Sequence, residues 1–239
     1  MAQQDRLGPQ LPLALRYPPE QRFETWIGAP AVLAQLQSLA RGDGGRLLGR
    51  NFYLQGAIGS GKTHLLLATC AAVDALGGRC DYLSLARVRG RARAAFEGLE
   101  CTGLLALDDV DAIAGNREDE IALFDLHNRA RDAGSGLIYA ARDVPAALPL
   151  VLPDLRSRLV QCTLLGLRML DDVGRAEVLR QRAAARGLQF DEAALDWLLR
   201  RHSRDLSDLG MLFERLDQAS LAAQRRLTVP FLRQVLGAD

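Results

Sequence analysis

The segment GAIGSGKT, residues 56 to 63, constrains the fold of this chain more than any other stretch. It fits the phosphate-loop pattern G-x-x-x-x-G-K-[ST], in which Gly56, Gly59 and Gly61 let backbone N–H groups point at phosphate oxygens. An apolar stretch, NFYLQ, precedes the motif, and a helical run, HLLLATCAAVDAL, follows it. Strand, glycine loop and helix place a helix N-terminus under a phosphate, so the sequence predicts a site for ADP or ATP.

The side chains of this motif define the predicted nucleotide contacts. Lys62 is the single lysine of a chain whose Lys and Arg together number 30, and a compact charge on a flexible stem suits the β and γ phosphates better than a planar guanidinium does. Thr63 is expected to ligate Mg²⁺. Ser60, inside the loop, and His64, directly after it, complete the predicted contacts.

A second motif, LLALDD at residues 104 to 109, resembles the Walker B strand that accompanies such loops. Asp108 is the candidate that holds Mg²⁺, and Asp109 is then placed to polarise the attacking water. The alternative is that these acids only cap the following segment, as Asp111 could also do.

Strand and helix patterns divide the chain into a leader (1–20), an α/β domain (21–165) and a small helical domain (166–239). Buried strands are predicted at 51–55, 80–85, 104–109, 137–142 and 159–165, with helical stretches between them. This alternation indicates a five-stranded parallel sheet covered on both faces. After it, helices are predicted at 171–186, 191–202, 205–224 and 228–236.

Composition excludes several classes of protein. The net charge of +1 gives no support to a dedicated nucleic-acid binder. The four cysteines are scattered and include no CxxC pair, which argues against a zinc site and for a reducing, cytoplasmic compartment. No apolar run reaches the roughly 18 residues of a membrane span. The arginines of ARVRGRARAAF, from Arg87 to Arg93, favour a solvated surface, with contact to DNA or a partner left open.

Several segments resemble the AAA+ ATPases of the DnaA clade, and within it the regulatory Hda family. GSGKTHLL and LLALDDVDAIAG resemble the clade's nucleotide motifs, and FDLHNRARDAG, LPDLRSRL and RDLSDLGMLFERLDQASLAAQRRLTVPFLRQVL extend the resemblance over nearly the whole chain. It implies an AAA+ nucleotide domain followed by a helical lid, without the DNA-binding domain that DnaA carries after its lid.

The resemblance also implies roles for individual residues. Asp143, after the fourth strand, matches the sensor 1 position, with Arg142 as the neighbouring alternative. Arg158 in LRSRL matches the arginine finger, which family members point at a nucleotide held by an adjacent protein. Arg204 in SRDL matches sensor 2, which reaches back from the lid. The Walker B segment ends in Asp-Asp where many AAA+ proteins have Asp-Glu, which leaves the chain's own rate of hydrolysis open.

The stretch QLPLAL, residues 10 to 15, resembles the Q-L-x-L-x-L peptides by which bacterial replication proteins bind the β sliding clamp of DNA polymerase III. Gln10, Leu11, Leu13 and Leu15 occupy the fixed positions. Alternating leucines suit an apolar groove, and Pro12 keeps the peptide extended. The alternative is a first strand packed on the core, although the prolines of RYPPE (16–20) oppose its continuation.

The resemblance therefore implies a negative regulator of replication initiation that docks on the clamp and presents Arg158 to ATP-bound DnaA. One alternative is an ATPase that loads a helicase, and a second is a nucleotide-binding scaffold without catalytic consequence. Homo-oligomerisation is left open, no membrane partner is expected, and contact with DNA is expected to be weak or indirect.

Overall fold

The computed structural model describes residues 17–42, 50–201, 206–223 and 226–237. Strands and helices alternate up to residue 166, and only helices follow. The α/β part comprises α1 Pro30–Arg41, β1 Asn51–Gln55, α2 Lys62–Ala75, β2 Cys80–Ser84, α3 Ala92–Glu97, β3 Leu104–Asp108, α4 Arg117–Asp132, β4 Gly136–Ala141, α5 Pro153–Val160 and β5 Thr163–Gly166. The helical part comprises α6 Asp172–Ala185, α7 Glu192–Arg201, α8 Leu206–Ala223 and α9 Val229–Leu236.

The five strands form one parallel sheet in the order β2-β3-β4-β1-β5. Tyr53 of β1 pairs with Tyr139 of β4, and Ala106 of β3 pairs with Ile138 of β4. Because β4 lies between β1 and β3, the loops that follow these three strands meet at the carboxyl edge of the sheet. Ligands of open α/β sheets bind at such an edge.

Successive side chains of the strands point to opposite faces, and both faces are buried. Leu104 and Ala106 pack with α1 and α2, whereas Leu105 and Leu107 pack with α3, α4 and α5. The uninterrupted apolar character of these strands follows from this double burial. The predicted α/β class with a five-stranded parallel sheet and a following helical domain is confirmed.

The helical part has a core of its own, formed by residues such as Leu179, Leu198, Phe213 and Phe231. Asp171 caps α6 by accepting a hydrogen bond from the Gly174 amide at 2.8 Å. Each of the four helices begins and ends within one residue of its predicted bounds. None of the described helices has the length and hydropathy that a membrane span requires.

The prediction for the last strand was wrong at its start. Leu159 and Val160 belong to α5, and β5 begins at Thr163. Pro153 occupies the first turn of α5, and Leu155 and Leu159 lie one helical turn apart and are both fully buried. The apolar residues that suggested an early strand are therefore the buried stripe of a helix.

Two contacts of Cys80, at the start of β2, were not predicted from the sequence. Tyr17 is 6% exposed, packs in the same core as Phe23 and donates a hydrogen bond to the Cys80 carbonyl at 3.1 Å, so this core includes part of the predicted leader 1–20. Cys70 of α2 and Cys80 of β2 form a disulfide, which the sequence analysis did not predict. The two residues meet because α2 packs directly on β2, which their sequence spacing did not indicate.

Candidate functional site

The loop after β1 adopts a conformation that requires glycine. Gly59 and Gly61 have φ angles of 78° and 91°, in the left-handed region that side chains disfavour. A Cβ on Gly61 would lie 2.5 Å from the ring of Trp26, and one on Gly56 would lie 2.9 Å from the Leu167 carbonyl oxygen. The loop therefore presents backbone close to other groups, as a phosphate cradle must.

Lys62 begins α2 and folds its side chain back over this loop. Its Nζ donates hydrogen bonds to the carbonyl oxygens of Gly56 at 2.7 Å and Ala57 at 2.9 Å. Burial lowers the pKa of Lys62, and the nearby carboxylate of Asp108 opposes that shift. The ammonium group is thus held inside the loop by weak acceptors that a phosphate oxygen could replace.

Thr63, at the start of α2, contacts Asp108, at the end of β3. The Thr63 hydroxyl donates to Asp108 Oδ2 at 2.6 Å, and the Tyr82 hydroxyl donates to the same oxygen at 3.1 Å. Burial raises the pKa of Asp108, and the hydrogen bond from Thr63 opposes the rise. A hydroxyl beside a carboxylate is a donor set that suits Mg²⁺. Since the described residues include no cluster of three or more His, Cys, Asp or Glu side chains, such an ion would need phosphate and water as further ligands.

Asp109 is the one non-glycine residue with a positive φ angle in the described ranges, at 57°. Its carboxylate accepts a hydrogen bond from the Ser84 hydroxyl of β2 at 2.7 Å. Backbone strain of this kind persists where surrounding contacts impose it, and such residues cluster at functional sites. The structure therefore places Asp109 beside Asp108 at the carboxyl edge of the sheet, just after β3 and not within it.

The two residues after β4, Arg142 and Asp143, make hydrogen bonds to different partners. The Arg142 guanidinium donates from Nε to Asp111 Oδ2 at 2.7 Å, and its backbone N–H bonds the same carboxylate. Asp143 is exposed, and its backbone carbonyl accepts from the Tyr53 hydroxyl at 2.8 Å. Asp111 thus holds the side chain of Arg142, the sensor 1 alternative, towards the end of β3.

A cavity of about 610 Å³ opens between the phosphate loop, residues 19–27 and helices α6 and α8. Three buried polar atoms of lining residues have no hydrogen-bond partner within the described ranges: Gln21 Oε1, Trp26 Nε1 and Ser60 Oγ. Buried polar atoms are costly to leave unpaired, so their grouping around one cavity indicates a polar occupant.

His64 lines this cavity, but its ring contacts the segment before α1. Nε2 lies 3.0 Å from the Arg22 carbonyl oxygen, and the ring centroid is 5.5 Å from that of Trp26. Burial lowers the pKa of His64, which keeps the ring neutral at pH 7 and makes Nε2 the hydrogen-bond donor. His64 therefore anchors the cavity wall, and its direct contact with a nucleotide remains a prediction.

The lid contributes a cation that sequence reasoning missed. Arg182 of α6 lines the cavity, where burial lowers its pKa and the acidic side chains of Glu20 and Glu214 oppose that shift. No local motif distinguishes this arginine from the others in the chain. Arg204, the predicted lid contact, lies outside the described residues, as do Gln10, Leu11, Leu13 and Leu15.

Arg158 lies apart from the cavity. It is a partly exposed residue of α5, which packs against the sheet on the face opposite α2. Burial, helped by the positive charge of Arg158, lowers the pKa of the neighbouring His127 to about 4. Arg87, Arg89, Arg91 and Arg93 are exposed around the start of α3.

Comparison with known proteins extends these observations. Residues 172–236 match the family model described as Hda, lid domain. Domain III of the Thermotoga maritima replication initiation protein DnaA is similar with a TM-score of 0.77 and 19% identity, over 93% of this chain and 98% of that one. AMPPCP-bound DnaA from Aquifex aeolicus gives 0.66 and 22%, over 83% and 65%. The Thermotoga maritima RuvB Holliday junction branch migration motor gives 0.67 and 18%, over 91% and 71%.

The chain has the AAA+ fold that the sequence analysis predicted, with an α/β domain, a phosphate loop and a helical lid. The match over residues 172–236 shows that the helical domain is of the Hda lid type, and the fold of the whole chain is similar to that of DnaA domain III.

Proposed function

We propose that this chain is a cytoplasmic, nucleotide-bound regulator of replication initiation that docks on the β sliding clamp and stimulates ATP hydrolysis by DnaA through Arg158. The observation that carries the proposal is a separation of two cationic sites. Lys62 and Thr63 line a cavity under an Hda-type lid, and Thr63 is hydrogen-bonded to Asp108. Arg158, in contrast, lies on a helix at the other face of the sheet.

Binding of ADP or ATP in the cavity is supported by the glycine loop and by the unpaired polar atoms of Gln21, Trp26 and Ser60. Lys62 would exchange its bonds to two loop carbonyls for bonds to phosphate oxygens, which are stronger because both partners are charged. Thr63 and Asp108 would hold Mg²⁺, which when bound neutralises phosphate charge. DnaA from Aquifex aeolicus, of the same fold, is bound to AMPPCP.

Action of Arg158 on another protein is supported by its position. Arg158 does not line the cavity, and a partly exposed arginine on a well-packed helix can be presented to an adjacent molecule. An arginine supplied in this way stabilises developing phosphate charge and raises hydrolysis by roughly 10³-fold to 10⁵-fold in GTPases. On this account the ATP that is hydrolysed belongs to DnaA, and the chain's own turnover is secondary.

Clamp docking is supported by the sequence of residues 10–15, where Gln10 and three alternating leucines form an extended-peptide motif. Such a peptide joins the regulator to clamp on DNA and raises its local concentration near DnaA.

The test combines ATP-loaded DnaA, clamp assembled on DNA and this protein, and measures conversion of bound ATP to ADP. Wild type should accelerate hydrolysis only when clamp is present, and Arg158→Ala should remove the acceleration. Arg233→Ala, which removes an exposed arginine from α9, is the matched control and should behave as wild type.

The clamp step has its own comparison. Replacing both Leu13 and Leu15 by Ala should abolish capture of the protein by immobilised clamp while leaving nucleotide binding intact.

Two outcomes would contradict the proposal. Unchanged acceleration of ATP hydrolysis by Arg158→Ala would refute it, and copurification with a replicative helicase in place of clamp would favour a helicase loader.

A further inference from the structure

Glu120, on the first turn of α4, is a fully buried carboxylate that accepts hydrogen bonds from two separate loops. Oε1 accepts from the Gly115 amide at 2.7 Å, and Oε2 accepts from the amides of Val151 at 2.9 Å and Leu152 at 2.7 Å. A buried acid needs such donors, because an unpaired charge in the interior is costly. The three donors therefore fix the carboxylate, and the carboxylate fixes the two loops to each other.

The two loops belong to different parts of the proposed mechanism. Gly115 ends the segment that follows Asp108 and Asp109 at the end of β3. Val151 and Leu152 directly precede Pro153, the first residue of α5, so Leu152 is the N-cap of that helix. Glu120 thus sets the start of α5 relative to the end of β3.

The bond to Leu152 replaces a local cap. In a capping box a glutamate at the third helical position accepts from the N-cap amide, but in α5 that position is Leu155. Leucine at the third position offers no acceptor to the N-cap amide. Glu120 supplies that acceptor from α4, and Arg156 adds a second restraint by donating to the Leu150 carbonyl at 2.5 Å.

The distal end of the same helix carries Arg158. It lies six residues after Leu152, about 9 Å along a helix that rises about 1.5 Å per residue. A short helix anchored at its start and by two buried leucines transmits a shift of its N-terminus to Arg158.

We propose that Glu120 is a positioning residue that aims the Arg158 guanidinium at a nucleotide held by the partner protein. This inference rests on the proposed function of Arg158. Glu120 does not contact the nucleotide; it acts by holding the segment from which α5 starts.

The adjacent residue provides a matched control. Asp119 is 2% exposed, lies on the same turn of α4 and also accepts two backbone hydrogen bonds, from Gly90 at 2.6 Å and Ala92 at 3.1 Å. Those donors lie before and at the start of α3. The substitutions Glu120→Gln and Asp119→Asn therefore remove equivalent charges from equivalent depths, but only the first affects the start of α5.

The experiment measures DnaA-bound ATP hydrolysis at saturating concentrations of this protein and clamp. Glu120→Gln should lower the maximal rate by about tenfold to a hundredfold, because its amide cannot accept all three N–H groups and small misplacements of a reacting group have effects of this size. The concentration for half-maximal effect and the nucleotide affinity should stay within about threefold of wild type, and Asp119→Asn should retain the wild-type maximal rate to the same extent.

Arg158→Ala and the double variant complete the design. If Glu120 acts through Arg158, adding Glu120→Gln to Arg158→Ala should cause no further loss. A further loss, an equal loss in Asp119→Asn, or a fall in nucleotide affinity would overturn the positioning role. So would a wild-type rate in Glu120→Gln when Arg158→Ala is inactive. An active Arg158→Ala would instead refute the proposed function itself.

Circular dichroism establishes that each variant is folded at the assay temperature. If Glu120→Gln is unfolded, Glu120→Asp is compared with wild type in its place. Aspartate keeps the charge, but its shorter side chain draws the carboxylate back by one methylene. The maximal rate of this variant should fall while nucleotide affinity is kept, and an unchanged rate would overturn the inference.

Discussion

The phosphate loop and helix α5 each place one cation on which the proposed function depends, and the two are held in different ways. Lys62 is held by the carbonyls of Gly56 and Ala57, within seven residues of itself. The helix of Arg158 is held at its start by Glu120, which is 32 residues away from Leu152. A motif whose contacts are local can be read from sequence, whereas a site built from distant contacts cannot. The two sites should therefore respond to substitution independently.

The largest effect is expected at the phosphate loop. Lys62→Ala removes the cation that would face the β and γ phosphates and should weaken ADP and ATP binding by about a hundredfold or more, since hydrogen bonds between charged groups are the strong ones. Isothermal titration calorimetry measures the affinity, with Arg233→Ala as the control. Wild-type affinity in Lys62→Ala would contradict the assignment of the cavity.

Gly61 tests the geometry of the same loop. Gly61→Ala combines a φ angle of 91° with a Cβ only 2.5 Å from Trp26, whereas Gly77→Ala has a φ angle of 76° and no atom within 4 Å. The second change should lower the free energy of unfolding by about 1 kcal/mol, and the first by about 2 kcal/mol or more, because it adds steric overlap to the same strain. Urea denaturation gives both values. Equal losses would show that Trp26 does not close over the loop.

Substitution of Asp108 tests the predicted Mg²⁺ site. Asp108→Asn should reduce nucleotide affinity by about tenfold in the presence of Mg²⁺ and have little effect in EDTA. Without the metal, the Asp108 carboxylate contacts mainly the Thr63 hydroxyl and does not act on the nucleotide. The same affinity ratio with and without Mg²⁺ would show that Asp108 does not assist the metal.

On the α5 side, an effect on stability that is confined to acidic pH is expected at His127. Its Nδ1 lies 2.8 Å from the Tyr139 hydroxyl, and burial with the nearby positive charge of Arg158 lowers its pKa from 6.5 to about 4. Because the folded state binds this proton less readily than the unfolded state, the contribution to stability is full above pH 6.5 and is lost as the pH falls towards 4.

Because His127 is buried, this loss should amount to about 3 kcal/mol between pH 7 and pH 4, the free energy that corresponds to the lowered pKa. It is measured as the difference between the unfolding free energies of wild type and His127→Gln from pH 7 to pH 4, which removes the contribution of carboxylates common to both. Parallel curves would show that His127 is not held neutral.

The sequence predicted those parts of the structure that depend on neighbours along the chain. The five strands, the loop around Lys62 and the helices of the lid follow from periodicity, glycine spacing and capping residues. The early start predicted for β5 was wrong because a buried helical stripe and a strand share the same apolar residues over a short stretch. Cys70 and Cys80 pair only because a helix packs on a strand.

In the candidate site, too, the sequence indicated the residues that lie in local motifs and missed those brought in by distant contacts. Lys62, Thr63 and Asp108 come together because their motifs follow β1 and β3, whose carboxyl ends lie at the same edge of the sheet on either side of β4. Arg182 and Glu120 carried no local signal, since one lines the cavity by the folding of the lid and the other acts on a loop far along the chain.

The central claim is that Arg158 acts on a nucleotide held by another protein. The most direct measurement binds labelled ATP to DnaA, binds unlabelled ADP to this chain, mixes both with clamp on DNA and follows release of labelled phosphate. Wild type should accelerate the release, and Arg158→Ala, with unchanged affinity for ADP, should not. Equal release with Arg158→Ala, or acceleration only when the label is first bound to this chain, would contradict the account.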